Sequence, residues 1–263
     1  MKRAVEICLS LAVCAGAAIA GEAGVVKIAA APVTWADALP SISKRQAVFV
    51  LDTPSQTEVR GYLNAAALRG SGEVGKMLEG LAGEAKVDLR IEWPDGFGKP
   101  TGFGREVMPA AGLVRSSYRV GSTTITRTFF AAEEEGAVFI HLIANQPGAL
   151  NFKVTVRVTG GMEPEIEDRR QMIVSPVAGQ PGRLGARVWV LPFESDVAKE
   201  GNGIMVKGEG EALIVCNYAA GGDLSGTLAK LGARYDPGHT PADPSKIWHG
   251  VLDSRLKSVE NSP

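Results

Sequence analysis

Two stretches of this chain alternate apolar and polar residues without interruption, and nothing else in it restricts the fold as tightly. From Lys86 to Trp93, Val87, Leu89, Ile91 and Trp93 fall on one face, and Asp88, Arg90 and Glu92 on the other. From Leu150 to Val158, Leu150, Phe152, Val154, Val156 and Val158 oppose Asn151, Lys153, Thr155 and Arg157. A period of two over that length is a β-strand with one face buried and one face wet.

Other segments read the same way. Leu113–Val120 and Thr123–Phe130 flank Gly121-Ser122, a two-residue hairpin of the kind that places glycine first. Ala137–Ala144 follows, and then the turn Asn145-Gln146-Pro147-Gly148. Further strands are expected at Ala47–Leu51, Gln171–Val174, Gly185–Leu191, Ile204–Lys207 and Ala212–Asn217. With 32 glycines and 15 prolines supplying turns, this pattern predicts a sandwich of antiparallel sheets. Helix is expected in few places. Val74, Met77, Leu78 and Leu81 have amphipathic spacing, and the preceding Glu58–Arg69 also favours helix. Asp243-Pro244 offers an N-cap with proline in the first turn, ahead of an apolar stripe at Ile247, Val251, Leu252, Leu256 and Val259. No repeat or long linker divides the chain, which reads as one domain.

The N-terminus has the form of an export signal. Lys2 and Arg3 precede an apolar run from Ile7 to Ala17, and Ala18-Ile19-Ala20 has the small-x-small form of a cleavage site. The run is shorter than the ~18 residues of a membrane span, so none is expected. Leu11-Ala12-Val13-Cys14 is a poor lipobox, because Val13 stands where a small residue is needed. Residues 1–20 are thus the expected signal peptide and 21–34 an N-terminal extension, and the protein is expected to be exported to the periplasm or outside the cell. Cleavage would remove Cys8 and Cys14 and leave only Cys216, inside an apolar run, as a buried structural thiol without a disulfide partner.

Composition excludes some functions and favours none. With 28 basic and 29 acidic residues and no basic stripe, nucleic acid is not an expected partner. Gly70-Ser71-Gly72-Glu73-Val74-Gly75 spells a dinucleotide fingerprint, yet the residues before it look helical where that motif requires a strand. His141 lies within a strand and reads as a sheet-face histidine. Asp236, His239 and Asp243 lie in a Gly/Pro-rich loop and fall short of the three or four converging ligands a zinc ion needs. The acidic clusters Glu133-Glu134-Glu135 and Glu163, Glu165, Glu167, Asp168 read as solvated turns, since a glycosidase needs two carboxylates facing each other across a bond. Among the tryptophans, Trp93 and Trp189 read as core. Trp35 and Trp248, near the ends, are the ones that exposure would make available for stacking on a sugar, with packing as their default.

Residues 104–158 carry a resemblance. Gly104-Arg105-Glu106-Val107, Val114-Arg115-Ser116-Ser117-Tyr118-Arg119-Val120-Gly121 and Thr126-Arg127-Thr128-Phe129-Phe130-Ala131 follow one another. They continue into Ile140-His141-Leu142-Ile143-Ala144, Gln146-Pro147-Gly148 and Leu150-Asn151-Phe152. This run resembles the N-terminal domain of glycoside hydrolase family 95, the α-L-fucosidase family. Trp35-Ala36-Asp37-Ala38-Leu39-Pro40, Ala186-Arg187-Val188-Trp189-Val190 and Met205-Val206-Lys207-Gly208 resemble the same domain more thinly. After Pro40 the chain departs from the family, with Ser41-Ile42-Ser43 in place of Gly-Asn-Gly.

The resemblance implies an all-β fold: an antiparallel β-supersandwich over residues 35–263, with a few short peripheral helices and a C-terminal helix. In the family the sandwich precedes an (α/α)₆ barrel that carries the catalytic carboxylates, and residues 245–260 resemble the helix leading into it. None of the family's catalytic residues can be placed on this chain. The expectation is therefore a non-catalytic protein linked to fucosylated glycans, with no catalytic residue, metal or cofactor and with its binding residues unassigned. Its expected partners are a carbohydrate or a separately encoded glycosidase barrel. A truncated fucosidase remnant is the remaining alternative.

Overall fold

A computed structural model of the 263-residue chain describes residues 18–20, 25–29, 31–42, 46–63, 74–94, 98–108, 111–132, 134–176, 184–194, 197–220 and 224–260. The apolar run of the expected signal and its two cysteines lie outside these residues. So do Gly70–Glu73 of the glycine-rich motif, and Glu133.

Among the described residues seventeen strands form two sheets, and every pairing among them is antiparallel. In chain order they are β1 (Ala18–Ala20), β2 (Val26–Ile28), β3 (Leu39–Ile42), β4 (Ala47–Asp52), β5 (Gln56–Tyr62), β6 (Lys86–Glu92), β7 (Pro100–Met108), β8 (Leu113–Val120), β9 (Thr123–Ala132), β10 (Ala137–Ala144), β11 (Leu150–Val158), β12 (Glu165–Glu167), β13 (Gln171–Val174), β14 (Leu184–Pro192), β15 (Val197–Glu200), β16 (Gly203–Glu209) and β17 (Glu211–Ala220). The larger sheet runs β1-β2-β7-β8-β9-β10-β17-β14-β13-β12, and the smaller runs β15-β16-β11-β6-β5-β4-β3. Among the described residues the helices are α1 (Val74–Gly80), α2 (Thr227–Tyr235) and α3 (Pro244–Glu260), with a 3-10 turn at Trp35–Asp37.

Burial explains which strands alternate and which do not. The main core lies between the sheets, where Val87, Leu89, Ile91, Phe152, Val154 and Val156 of the smaller meet Ile125, Phe129, Val138, Ile140, Val188 and Ile214 of the larger. Helices α2 and α3 cover part of the outer face of the larger sheet through Leu231, Ile247, Trp248 and Val251, which pack on Phe130, Phe139, Leu213 and Val215. Helix α1 covers part of the outer face of the smaller sheet, where Val74, Met77 and Leu81 meet Ala47, Phe49 and Tyr62. Strands such as β4 and β10, buried on both faces, are therefore apolar at nearly every position. Strands β6 and β11 keep one face in water, and so they alternate.

The architecture matches the expected antiparallel supersandwich with peripheral helices and a C-terminal helix. Gly121 has φ 61°, as the first position of its hairpin turn requires, and Val120 pairs with Thr123. Asp243 caps α3, its Oδ1 accepting from the Ser245 amide at 2.8 Å.

One helix expectation is overturned. Within Glu58–Arg69, residues 58–62 belong to strand β5, and residues 64–69 lie outside the described part. The inward positions of β5 are Thr57, Val59 and Gly61, and β4 and β6 pair with it on both sides. Two ladders and a buried face outweigh the helix propensity of Glu58 and Arg60. The strand upstream of the glycine-rich motif is thus antiparallel to its neighbours, which is not the parallel crossover a dinucleotide site uses.

Candidate functional site

The polar residues of the family-like motifs meet inside the protein. Arg105 stands on β7, Ser116 and Tyr118 on β8, and Arg127 on β9, all reaching toward the smaller sheet. Asp52, at the end of β4, and Thr57, on β5, reach back. Register places Ser116 directly opposite Arg127. The Arg127 guanidinium donates to the Asp52 carboxylate and to the Tyr118 hydroxyl. It also donates to Thr57 Oγ1 at 2.7 Å and to the carbonyls of Thr53 at 2.8 Å and Pro54 at 3.0 Å. Ser116 and Thr57 donate to the same carboxylate. The guanidinium also lies 4.5 Å from the Tyr118 ring and 5.0 Å from that of Trp93.

Arg127 and Asp52 are 0% and 1% exposed at their side chains. Burial, opposed by the adjacent arginine, pushes the Tyr118 hydroxyl up to about 12. Arg105 is buried too, and burial lowers its pKa against the pull of Asp52 and Asp37. Its Nη1 donates at 2.8 Å to the carbonyl of Asp37, tying the 3-10 turn to the larger sheet. These groups are closed off from solvent. They form a lock between the sheets.

The remaining sequence candidates fall into small local groups. Asp236 accepts from the Asp243 amide at 2.9 Å and from Lys246 at 2.7 Å, and it lies 2.8 Å from His239 Nδ1. These contacts lower its pKa and organise the loop before α3. The loop, α2 and the end of β14 border a cleft of about 640 Å³. Among the described residues no group of three His, Cys, Asp or Glu side chains converges as a metal site.

His141 is buried, stacked on Trp248 at 4.3 Å, with Nε2 2.7 Å from Glu211 Oε1. Glu135 is only 7% exposed at its side chain and pairs with Arg234 and Tyr235, so it departs from the solvated turn expected of it; Glu134 is exposed and pairs with Arg234. Glu163, Glu165, Glu167 and Asp168 are exposed, but Glu165 and Glu167 stand on edge strand β12 and not in a turn. Cys216 is a buried free thiol, and burial raises its pKa to about 12. Trp93, Trp189 and Trp248 are core, whereas Trp35 is half-exposed beneath the guanidinium of Arg60 at 3.9 Å.

An open polar surface lies on the outer face of the smaller sheet where α1 does not reach. Three rows of side chains cross β5, β6 and β11: Gln56-Glu92-Lys153, Glu58-Arg90-Thr155 and Arg60-Asp88-Arg157. Charges alternate across the strands. Arg60 pairs with Asp88 at 2.6 Å, and Arg90 pairs with Glu58 at 2.7 Å and with Glu92 at 3.3 Å. The rows floor a groove of about 300 Å³, with Asn202 in its lining. The alternation in β6 and β11 reveals two of the three strands of this face in the sequence; the contribution of β5 is hidden by the helix expectation.

No family model matches the chain, and no curated protein matches it. Among solved structures, a "putative kojibiose phosphorylase from human microbiome" aligns at 8% identity and TM-score 0.37, over 65% of this chain and 27% of that one. The periplasmic domain of Thermotoga maritima YidC aligns at 13% identity and TM-score 0.31, over 85% of this chain and 98% of that one. The aligned part thus spans about a quarter of the phosphorylase chain. Likenesses this distant do not bear on activity, substrate or partner. Among the described residues no helix is long and apolar enough to cross a membrane.

Proposed function

We propose that this is an exported, non-catalytic sandwich protein, similar to the N-terminal domain of family 95 α-L-fucosidases, that binds fucosylated glycans without cleaving them. Residues 1–20 act as the signal, 35–263 as the sandwich module, and 21–34 as an extension that adds strand β2 to the larger sheet. The observation that carries this reading is the place of the motif residues. Arg105, Tyr118 and Arg127 are internal to the fold, so the resemblance is one of architecture and brings no reactive group with it. The buried carboxylates Asp52, Glu209 and Asp236 are occupied by internal hydrogen bonds. A glycosidase needs a pair of carboxylates standing open on either side of its substrate.

The alternative, a subunit that docks a separate glycosidase barrel through its last helix, has less support. Ile247, Trp248 and Val251 of α3 are already buried against the chain's own larger sheet.

Titration calorimetry of the purified chain against fucosylated oligosaccharides, with an assay for free fucose, tests the proposal. Binding without release is the expected result. Fucose release overturns the non-catalytic part, and silence across the panel overturns the glycan part. Mass measurement of the exported protein tests the signal; cleavage after Ala20 would also remove β1.

A further inference from the structure

From the three polar rows on β5, β6 and β11 we infer a binding site for an anionic oligosaccharide, one bearing sulfate or carboxylate groups. This rests on the glycan reading above and gives it a place and a charge.

The floor of the groove presents no apolar side chain along these rows, so an apolar ligand would strand its ions without water. A hydroxyl-rich ligand would instead replace water at guanidinium, carboxylate and amide groups that are already fixed. Arg60 and Arg90 are held by their carboxylate partners, which keeps donors and acceptors in a rigid array. Counting Lys86, 3.6 Å from Asp88, and Glu200, 4.0 Å from Lys153, five cations stand in and beside the rows against four anions. The uncompensated charge lies on β11, where exposed Arg157 has no carboxylate at ion-pair distance among the described residues and Lys153 meets Glu200 only at the limit of that distance.

These two cations are four residues apart on one face of a strand, about 13 Å along it, a span suited to a chain of sugars and not to a single one. Arg60, at the end of the third row, is held on its other side by the ring of Trp35, 3.9 Å from its guanidinium.

The test compares two probes: an α-L-fucan oligosaccharide carrying sulfate esters, and the same oligosaccharide after desulfation. Wild-type protein should bind the sulfated form at least about tenfold more tightly, and added salt should weaken that binding. The double variant Lys153→Gln/Arg157→Gln should lose the preference while keeping the wild-type melting midpoint, since both side chains are at the surface. Thr155→Glu, which places a negative charge in the middle row, should abolish binding of the sulfated probe.

Equal binding of the two probes overturns the anionic site. So does a preference that survives in both variants, and in that case the general glycan reading stands. If neither probe nor any neutral fucosylated oligosaccharide binds, the glycan reading itself fails and the groove falls with it.

Discussion

Arg127 on the larger sheet and Asp52 on the smaller face each other across the core as a fully buried ion pair, 75 residues apart in sequence. Serine, threonine and tyrosine hydroxyls and two backbone carbonyls complete the cage around them. An ion pair in such a place is costly to break from one side, because the surviving charge has no water to turn to.

Arg127→Met is therefore expected to lower the unfolding free energy by about 3–5 kcal/mol, and Asp52→Leu by a similar amount. The double variant should be clearly less destabilised than the sum of the two, because it leaves no orphan charge. Urea denaturation of all four proteins measures this. Strict additivity would mean that the two charges do not depend on each other.

His141 provides a pH dependence. Burial lowers its pKa, outweighing the opposite pull of Glu211, and His249 and Arg115 add to the lowering. Below its ordinary value near 6.5 the unfolded chain takes up a proton that the folded chain refuses. Stability from this residue is thus fully present above that value and declines as pH falls through it toward the folded pKa. His141→Phe keeps a ring against Trp248 and should flatten the change in melting midpoint between about pH 7.5 and pH 5. An unchanged slope would assign the effect to other groups.

Two glycines separate packing from propensity. A Cβ on Gly250 would lie 2.3 Å from Tyr235 Cδ1, at the contact between α3 and α2. Gly250→Ala should destabilise by about 1–3 kcal/mol through overpacking. Gly80, at the end of α1, has nothing within 4 Å of its would-be Cβ, so Gly80→Ala should be neutral or stabilise by a few tenths to about 1 kcal/mol. Thermal melts distinguish the two, and equal effects would show that the helix contact yields freely.

Tyr218 buries a hydroxyl that has no hydrogen-bond partner among the described residues, and burial raises its pKa well above the usual value. The ring fills the space over Gly61, where a Cβ would stand 2.6 Å from the hydroxyl oxygen. Tyr218→Phe should leave stability unchanged or raise it by up to about 1 kcal/mol. A loss of that size in a denaturant titration would mean that the hydroxyl is bonded after all.

Legibility followed the range of the interactions. Strands β6, β10, β11 and β13 were readable to within a residue, because burial on one face or two leaves its period in the local sequence. Strand β3 was not, since Pro40 argues against a strand except at an edge, where β3 lies. Strand β7 carries Gly102 and Gly104 and an irregular register between Thr101 and Gly104, which breaks the alternation that marks a strand. Helix α2 is short and has a glycine in its middle, and it is held by the sheet beneath it more than by its own propensity.

The chain's own residues determined that it would be an antiparallel sandwich, and they determined which faces of β6 and β11 would be wet, because side-chain direction along a strand is a local property. They did not determine that Arg127 would find Asp52, or that Glu58 and Arg60 would stand beside Arg90 and Asp88. Those meetings depend on which distant strands become neighbours and in what register. Only the packing of two sheets around one core decided that, because a ladder between remote segments is chosen by the burial of the whole face and not by any residue's local preference.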